Sequence, residues 1–154
     1  MGLLMRTTAL TVLLAGLAAC SSAPPPIDLA TLSIESQADA NAGNAIAVDV
    51  VLVLDAGLEG ELLKLPARDW FRKRAQIGRD NPGGLMVRSW ELVPGQSVPK
   101  RPMETQKRVT AAVIYADYGT PGDHRLRLGR TDNVVRVLLQ ASDVVVETTP
   151  TPVD

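Results

Sequence analysis

The 154-residue chain holds one cysteine, one histidine and very few aromatic side chains: two Trp, two Tyr and one Phe. A single cysteine rules out an intrachain disulfide, so the folded part must rest on its apolar core. Any zinc centre, and any Ser/His/Asp or Cys/His arrangement, would have to be built on His124. That residue opens a strand after a turn, where a histidine is ordinarily solvated or bonded to its neighbours. Formal charges nearly cancel, with 16 basic and 17 acidic residues for a net of −1. The absence of a polybasic patch speaks against nucleic acid and anionic lipid as partners. With 3% aromatics there are few platforms on which bases could stack. The apolar run near the amino terminus falls short of the roughly 20 residues that carry a helix across a hydrocarbon core. Gly83-Gly84 precedes a strand rather than opening a helix, so no phosphate-binding fingerprint is present. Asp117 and Asp123 flank one turn, where aspartates bond their own backbone more often than they perform paired-carboxylate chemistry. The expectation is a non-enzyme with no catalytic residue, no metal ligand, no cofactor and no small-molecule substrate.

The amino terminus is more informative. Arg6 is the only charge in the first twenty residues, an apolar run spans Ala9 to Gly16, and Leu17-Ala18-Ala19-Cys20 closes the segment. Length and flanks fit a cleavable secretion signal over residues 1–19. Leu-Ala-Ala-Cys matches the lipobox of bacterial lipoproteins. The match implies cleavage before Cys20, a diacylglycerol thioether on its sulfur and a palmitate-type acyl group on its new amine. Each buried methylene contributes about 0.8 kcal/mol, so two or three chains anchor firmly where one does not. Ser21, rather than Asp, follows the cysteine, which by lipoprotein sorting rules implies the outer membrane, with the polypeptide facing the periplasm.

Residues 20–31 form a Pro-rich tether, because Ser-Ser-Ala-Pro-Pro-Pro supports neither helix nor ladder. A domain over 32–147 follows, and 148–154 is expected to be a flexible tail. Within the domain the dominant period is two. Leu32, Ile34, Ser36 and Ala38 alternate with polar residues as one half-buried strand. Ala45 to Leu54 places Ile46, Val48, Val50, Leu52 and Leu54 on one face and Ala47, Asp49, Val51 and Val53 on the other, a strand covered on both sides. Pro66 starts a helical segment over about 66–76, with Ala67, Trp70, Phe71 and Ala75 inward and Arg68, Arg72, Lys73 and Arg74 outward. Strand patterns return at Leu85–Val93, Val109–Tyr118, His124–Leu128, Val134–Leu139 and Asp143–Val146. Val98–Thr105 contains Pro99 and Pro102, which makes it an edge or a loop. Short strands separated by frequent turns predict an all-β, two-sheet β-sandwich with one added helical segment.

Several segments resemble the outer-membrane lipoprotein of the type VI secretion system, the TssJ (SciN) family. Residues 32–41 look like its first strand and following loop, and Ala45 to Leu54 like its second strand. Ala67-Arg68-Asp69-Trp70-Phe71 resembles its acidic-aromatic helix, and residues 90–96 its strand into a Pro-Gly turn. Val109 to Leu128 is similar to its later strand, Asp-containing turn and Arg-bearing strand. The sequence departs from that pattern in being aliphatic near Val51, in a shorter loop without proline, and in having His124 before Arg125 where the family has Trp. The resemblance implies a transthyretin-like sandwich acting as a scaffold of the secretion membrane complex. It further implies that the loop Asp39, Ala40, Asn41, Ala42, Gly43, Asn44 and Ala45 binds the periplasmic domain of the inner-membrane component TssM. Small polar residues around Gly43 suggest a mobile loop with an ordering cost on binding; an ordinary hairpin-type connection fits the same residues. A pilotin-like lipoprotein assisting another secretion system is the alternative, and would need a groove for a partner helix.

Overall fold

The computed structural model describes residues 27, 29–103, 107–129 and 134–149. The expected signal segment and Cys20 lie outside the described residues. Eight strands among the described residues form two four-stranded sheets. The first sheet runs in the order β4 (Ser97–Pro102), β1 (Thr31–Ser36), β7 (Val134–Leu139), β8 (Val144–Thr149). The second runs β3 (Leu85–Leu92), β2 (Ile46–Val53), β5 (Ala111–Ala116), β6 (Arg125–Arg127). All neighbours are antiparallel except β1 and β7, which run parallel with Thr31 beside Val134 and Ser36 beside Leu139. The expected two-sheet sandwich is therefore present, with β4 on an edge where its prolines need no ladder partner.

Burial follows the side-chain period of a strand. On β1, Leu32, Ile34 and Ser36 are buried and Glu35 is exposed. All six residues of β5 are buried, as are Val48 to Val53 of β2, so the second sheet is covered on both faces. One cover is the first sheet. The other is a pair of helices, α1 (Ala56–Leu62) and α2 (Ala67–Asp80), which follow β2 in the chain and pack on β2 and β5.

The sequence predicts one helical segment over about 66–76; the structure adds α1 and extends α2 to Asp80. Gly57 and Gly60 lower the intrinsic helix propensity of α1 and hide it in the sequence. It forms nonetheless because the Asp55 side chain accepts the Gly57 N–H at 2.9 Å as an N-cap. Ala75, expected inward, is exposed.

Trp70 is completely buried and fixes α2 to the sheet. Its indole stacks on Tyr115 of β5, with centroids 4.9 Å apart and planes 7° off parallel. Its Nε1–H donates to Asp49 Oδ2 of β2 at 2.8 Å. The Tyr115 hydroxyl donates to the Leu62 carbonyl at the end of α1, at 2.7 Å. Arg74, read from sequence as pointing outward, reaches the same Asp49 Oδ2 at 2.7 Å while keeping 43% of its side chain exposed. Asp49 and Tyr115 are direct cross-strand partners, so both helical attachments meet at one point on the sheet.

Two chain ends extend past the expected boundaries. Ile27 and Leu29 are buried in the core, and Ile27 N–H donates to Val109 O at 2.9 Å, so the domain begins inside the stretch read as tether. At the other end β8 runs to Thr149, opposite Val134, two residues into the expected tail.

Candidate partner-binding loops

The strand registers bring four connections to one pole of the sandwich: Gln37–Ala45 between β1 and β2, Val93–Gln96 between β3 and β4, Asp117–His124 between β5 and β6, and Gln140–Asp143 between β7 and β8. Ile27 enters the fold beside Val109 at the opposite pole, where β5 begins.

The first connection holds all seven residues of the expected partner loop. Ala40–Gly43 forms a 3-10 turn in which Asn41 (φ 48°), Ala42 (φ 51°) and Gly43 (φ 87°) lie consecutively in the left-handed region. For L-residues this conformation costs roughly 1–2 kcal/mol each, with Asn and Gly the most tolerant. Asn41 holds it together. Its backbone N–H donates to Ala141 O at 3.0 Å, its Nδ2 donates to Ala45 O at 3.1 Å, and its Oδ1 accepts Gly119 N–H at 2.9 Å. Its carbonyl accepts both the N–H and the side-chain amide of Asn44. The loop is thus a locked turn tied to two neighbouring connections, where the sequence suggested mobility. Ala40 and Asn41 are buried; Asp39, Ala42, Gly43, Asn44 and Ala45 form the exposed surface.

The third and fourth connections are locked around His124, a non-glycine residue at φ 44°. Its Nδ1 lies 2.9 Å from Asp143 Oδ1 and its Nε2 lies 2.9 Å from Thr120 O. Its ring packs against Tyr118 at 4.9 Å. A Cβ on Gly122 would stand 2.6 Å from the His124 ring, which is why glycine occupies that turn position. The Tyr118 hydroxyl, buried, faces Asp143 O at 2.7 Å and Gln140 O at 3.1 Å. Burial first, then the Asp143 charge, pushes the Tyr118 phenol well above its ordinary pKa, against a smaller opposing effect of the Gln140 carbonyl.

Thr120, His124 and Asp143 have the residue types of a catalytic triad. Their hydrogens point elsewhere. The Thr120 hydroxyl donates to Ser142 O at 3.0 Å and stands 3.4 Å from His124 Nε2, which already faces a backbone carbonyl. The cluster secures the loops. Nothing local in the sequence marks this pairing, because Asp143 lies 19 residues from His124.

Two clefts accompany these elements. One of about 270 Å³ lies between the start of α2 and the β5–β6 turn, lined by Pro66, Arg68, Asp69, Tyr118, Thr120, Pro121, Gly122 and His124. The other, about 400 Å³, separates α1 from α2 between Leu58, Leu62, Leu65 and Ile77. No helix among the described residues is long and apolar enough to cross a membrane.

No family model matches the chain, and no curated protein matches it by sequence. Solved structures do. The T6SS lipoprotein TssJ1 from Pseudomonas aeruginosa superimposes with a TM-score of 0.55 at 16% identity, over 83% of this chain and 100% of its own. Serratia marcescens Lip, a membrane-bound component of the type VI secretion system, gives 0.52 at 15% identity, over 77% and 96%. A structure of the T6SS protein TssM C-terminal domain (869-1107) from EAEC gives 0.57 at 16% identity, over 77% and 99%.

The fold is TssJ-like.

At these identities the likeness is one of architecture, and the TssJ-like fold accommodates the sequence departures noted above. The aliphatic Val51 lies fully buried on β2, and His124 fills its position as a buried turn residue.

Proposed function

We propose that this protein is an outer-membrane lipoprotein of a type VI secretion membrane complex. In this reading the lipid on Cys20 pins it to the inner leaflet, and the loop pole engages the periplasmic domain of a TssM-like inner-membrane protein. The observation that carries the reading is polarity: Ile27, the described residue nearest Cys20, enters at one pole, and Asp39–Ala45 sits at the other. A tether on one end and locked loops on the far end suit a bridge across the periplasm. The similarity to TssJ1 and Lip, and to a structure of the TssM C-terminal domain, supports the choice of system.

A pre-locked loop loses little freedom on binding, which favours affinity for a small footprint. Capture of the full chain by the periplasmic region of the TssM-like protein tests the partner. Binding is expected for the natural sequence and a large loss for Asn41→Ala, which unties the turn from Gly119, while the domain stays folded. Absence of any capture sinks the partner assignment. The anchor is tested separately by Cys20→Ser, expected to move the protein out of the outer-membrane fraction; persistence there refutes the lipid reading.

A further inference from the structure

Three of the four edge strands among the described residues are blunted against other chains. β4 contains Pro99 and Pro102 and shifts register against β1 between Leu32 and Ile34. β6 is three residues long, and β8 lies against it where the two sheets meet. Prolines, irregularities and short or covered edges are the usual defences of a sheet. β3 has no proline, irregularity or cover, and its only edge charges are one of each sign, Arg88 and Glu91. Its eight residues contain neither proline nor glycine and pair with β2 without a break. The two large apolar side chains that stand exposed among the described residues, Val87 (39%) and Val93 (47%), lie in β3 and directly after it.

The ladder fixes which backbone groups of β3 are free. Leu54 donates to Gly84 O in line with the β2–β3 register. Antiparallel alternation then turns Met86, Arg88, Trp90 and Leu92 toward β2 and leaves Leu85, Val87, Ser89 and Glu91 with outward N–H and C=O groups. Val93 is already closed: its N–H donates to Gln96 Oε1 and its carbonyl accepts Gln96 N–H, both at 3.1 Å.

We propose that β3 pairs antiparallel with β3 of a second copy of this chain about a two-fold axis at Ser89, joining the two sheets into one of eight strands. An axis normal to the sheet keeps each side chain on its own face and opposes residues of equal parity. Placed at Arg88 it would set two guanidinium groups directly opposite, which is destabilising. Placed at Trp90 it would require the backbone of Val93, which is spent. At Ser89 it opposes Ser89 to Ser89, Val87 to Glu91 and Arg88 to Trp90. Every outward group from Val87 to Glu91 then finds a partner, and no like charges meet. Arg88 comes to rest beside an indole in a close, non-hydrogen-bonded pair, a favourable cation–π geometry. Val87 loses its exposed surface against the methylenes of Glu91. This match of β3 to itself favours a second copy over a foreign strand.

The test uses the full chain carrying Ser89→Cys, treated in membranes with a short bismaleimide. The unsubstituted chain and Ala75→Cys, an exposed position on α2, serve as controls. A cysteine on the axis is expected to give a covalent dimer that neither control gives. Adding Glu91→Pro removes an outward N–H without touching the β2–β3 ladder, and is expected to abolish the crosslink with the melting transition unchanged. The proposal is overturned if Ser89→Cys crosslinks no better than Ala75→Cys, if the dimer survives Glu91→Pro, or if Ser89→Cys joins a different protein. Capture of TssM reports on the loop pole alone, so the two proposals fail independently.

Discussion

The two sheets solve the same problem in opposite ways. The outer face of the second sheet lies under α1 and α2, and its β2 and β5 read as nearly unbroken aliphatic runs. The outer face of the first sheet has no helical cover among the described residues. There Arg136 of β7 pairs with Glu35 of β1 and with Glu147 of β8, all three about half exposed. The covered face had to bury polar groups to hold its cover: Asp49, the Trp70 indole and the Tyr115 hydroxyl. The bare face keeps its polar groups in water, where ion pairs contribute little. Stability should therefore be concentrated under the helices.

Trp70→Ala attacks that asymmetry most directly. It opens a cavity against Tyr115 and deprives Asp49 of a donor, and about 3–5 kcal/mol of stability is expected to be lost. Denaturant unfolding measures it; a loss below that of an exposed substitution would mean the helices are not anchored at this point. Asp49→Ala is expected to follow at about 1–3 kcal/mol, the cost of leaving the buried indole N–H without an acceptor. It should fall short of the Trp70 effect because Asp49 Oδ1 has no hydrogen-bond partner among the described residues and Arg74 can turn to solvent.

How much of this contrast was legible in the sequence depends on range. The bare sheet announced itself through alternation at Leu32, Ile34 and Ser36, and the covered one through a second apolar face at Val51 and Val53. Trp70 and its helical neighbours pointed to the cover itself. Its partners did not show, because Asp49 and Tyr115 lie 21 and 45 residues away and look like ordinary strand positions. The helix α1 was hidden by Gly57 and Gly60, whose low propensity is overcome by a cap and by packing. The locked loop pole was the least legible. Asn41 meets Gly119 across 78 residues, so a stretch of small polar residues read as mobile when its bonds lay elsewhere in the chain.

Alkaline pH should separate the regions with a smaller effect. Burial raises the Tyr115 phenol far above its ordinary value of 10.0, against the opposing charge of Arg125, and Tyr118 is raised likewise. Below pH 10 both are protonated whether the chain is folded or unfolded. Above it the unfolded chain releases protons that the fold retains, so unfolding becomes progressively more favourable. Each tyrosine contributes a slope of at most about 1.4 kcal/mol per pH unit. Unfolding midpoints compared at pH 9 and pH 11 should fall, and Tyr115→Phe should remove part of that fall; an unchanged slope would place the sensitivity outside the covered face.

Arg136→Ala is the smallest effect and the sharpest check on the comparison. The guanidinium touches two carboxylates, Glu35 and Glu147, on neighbouring strands, so a tally of contacts would rank it with Trp70. Its expected contribution is nonetheless the smallest. All three groups remain in contact with water, the attraction is screened at physiological salt, and holding three long side chains together costs rotamer freedom. No resolvable change in the unfolding midpoint is expected at physiological ionic strength, with a small loss emerging only at low salt. A loss rivalling Trp70→Ala at physiological salt would mean that the ion pairs themselves hold β1, β7 and β8 in register, and that the bare sheet carries as much of the fold as the covered one.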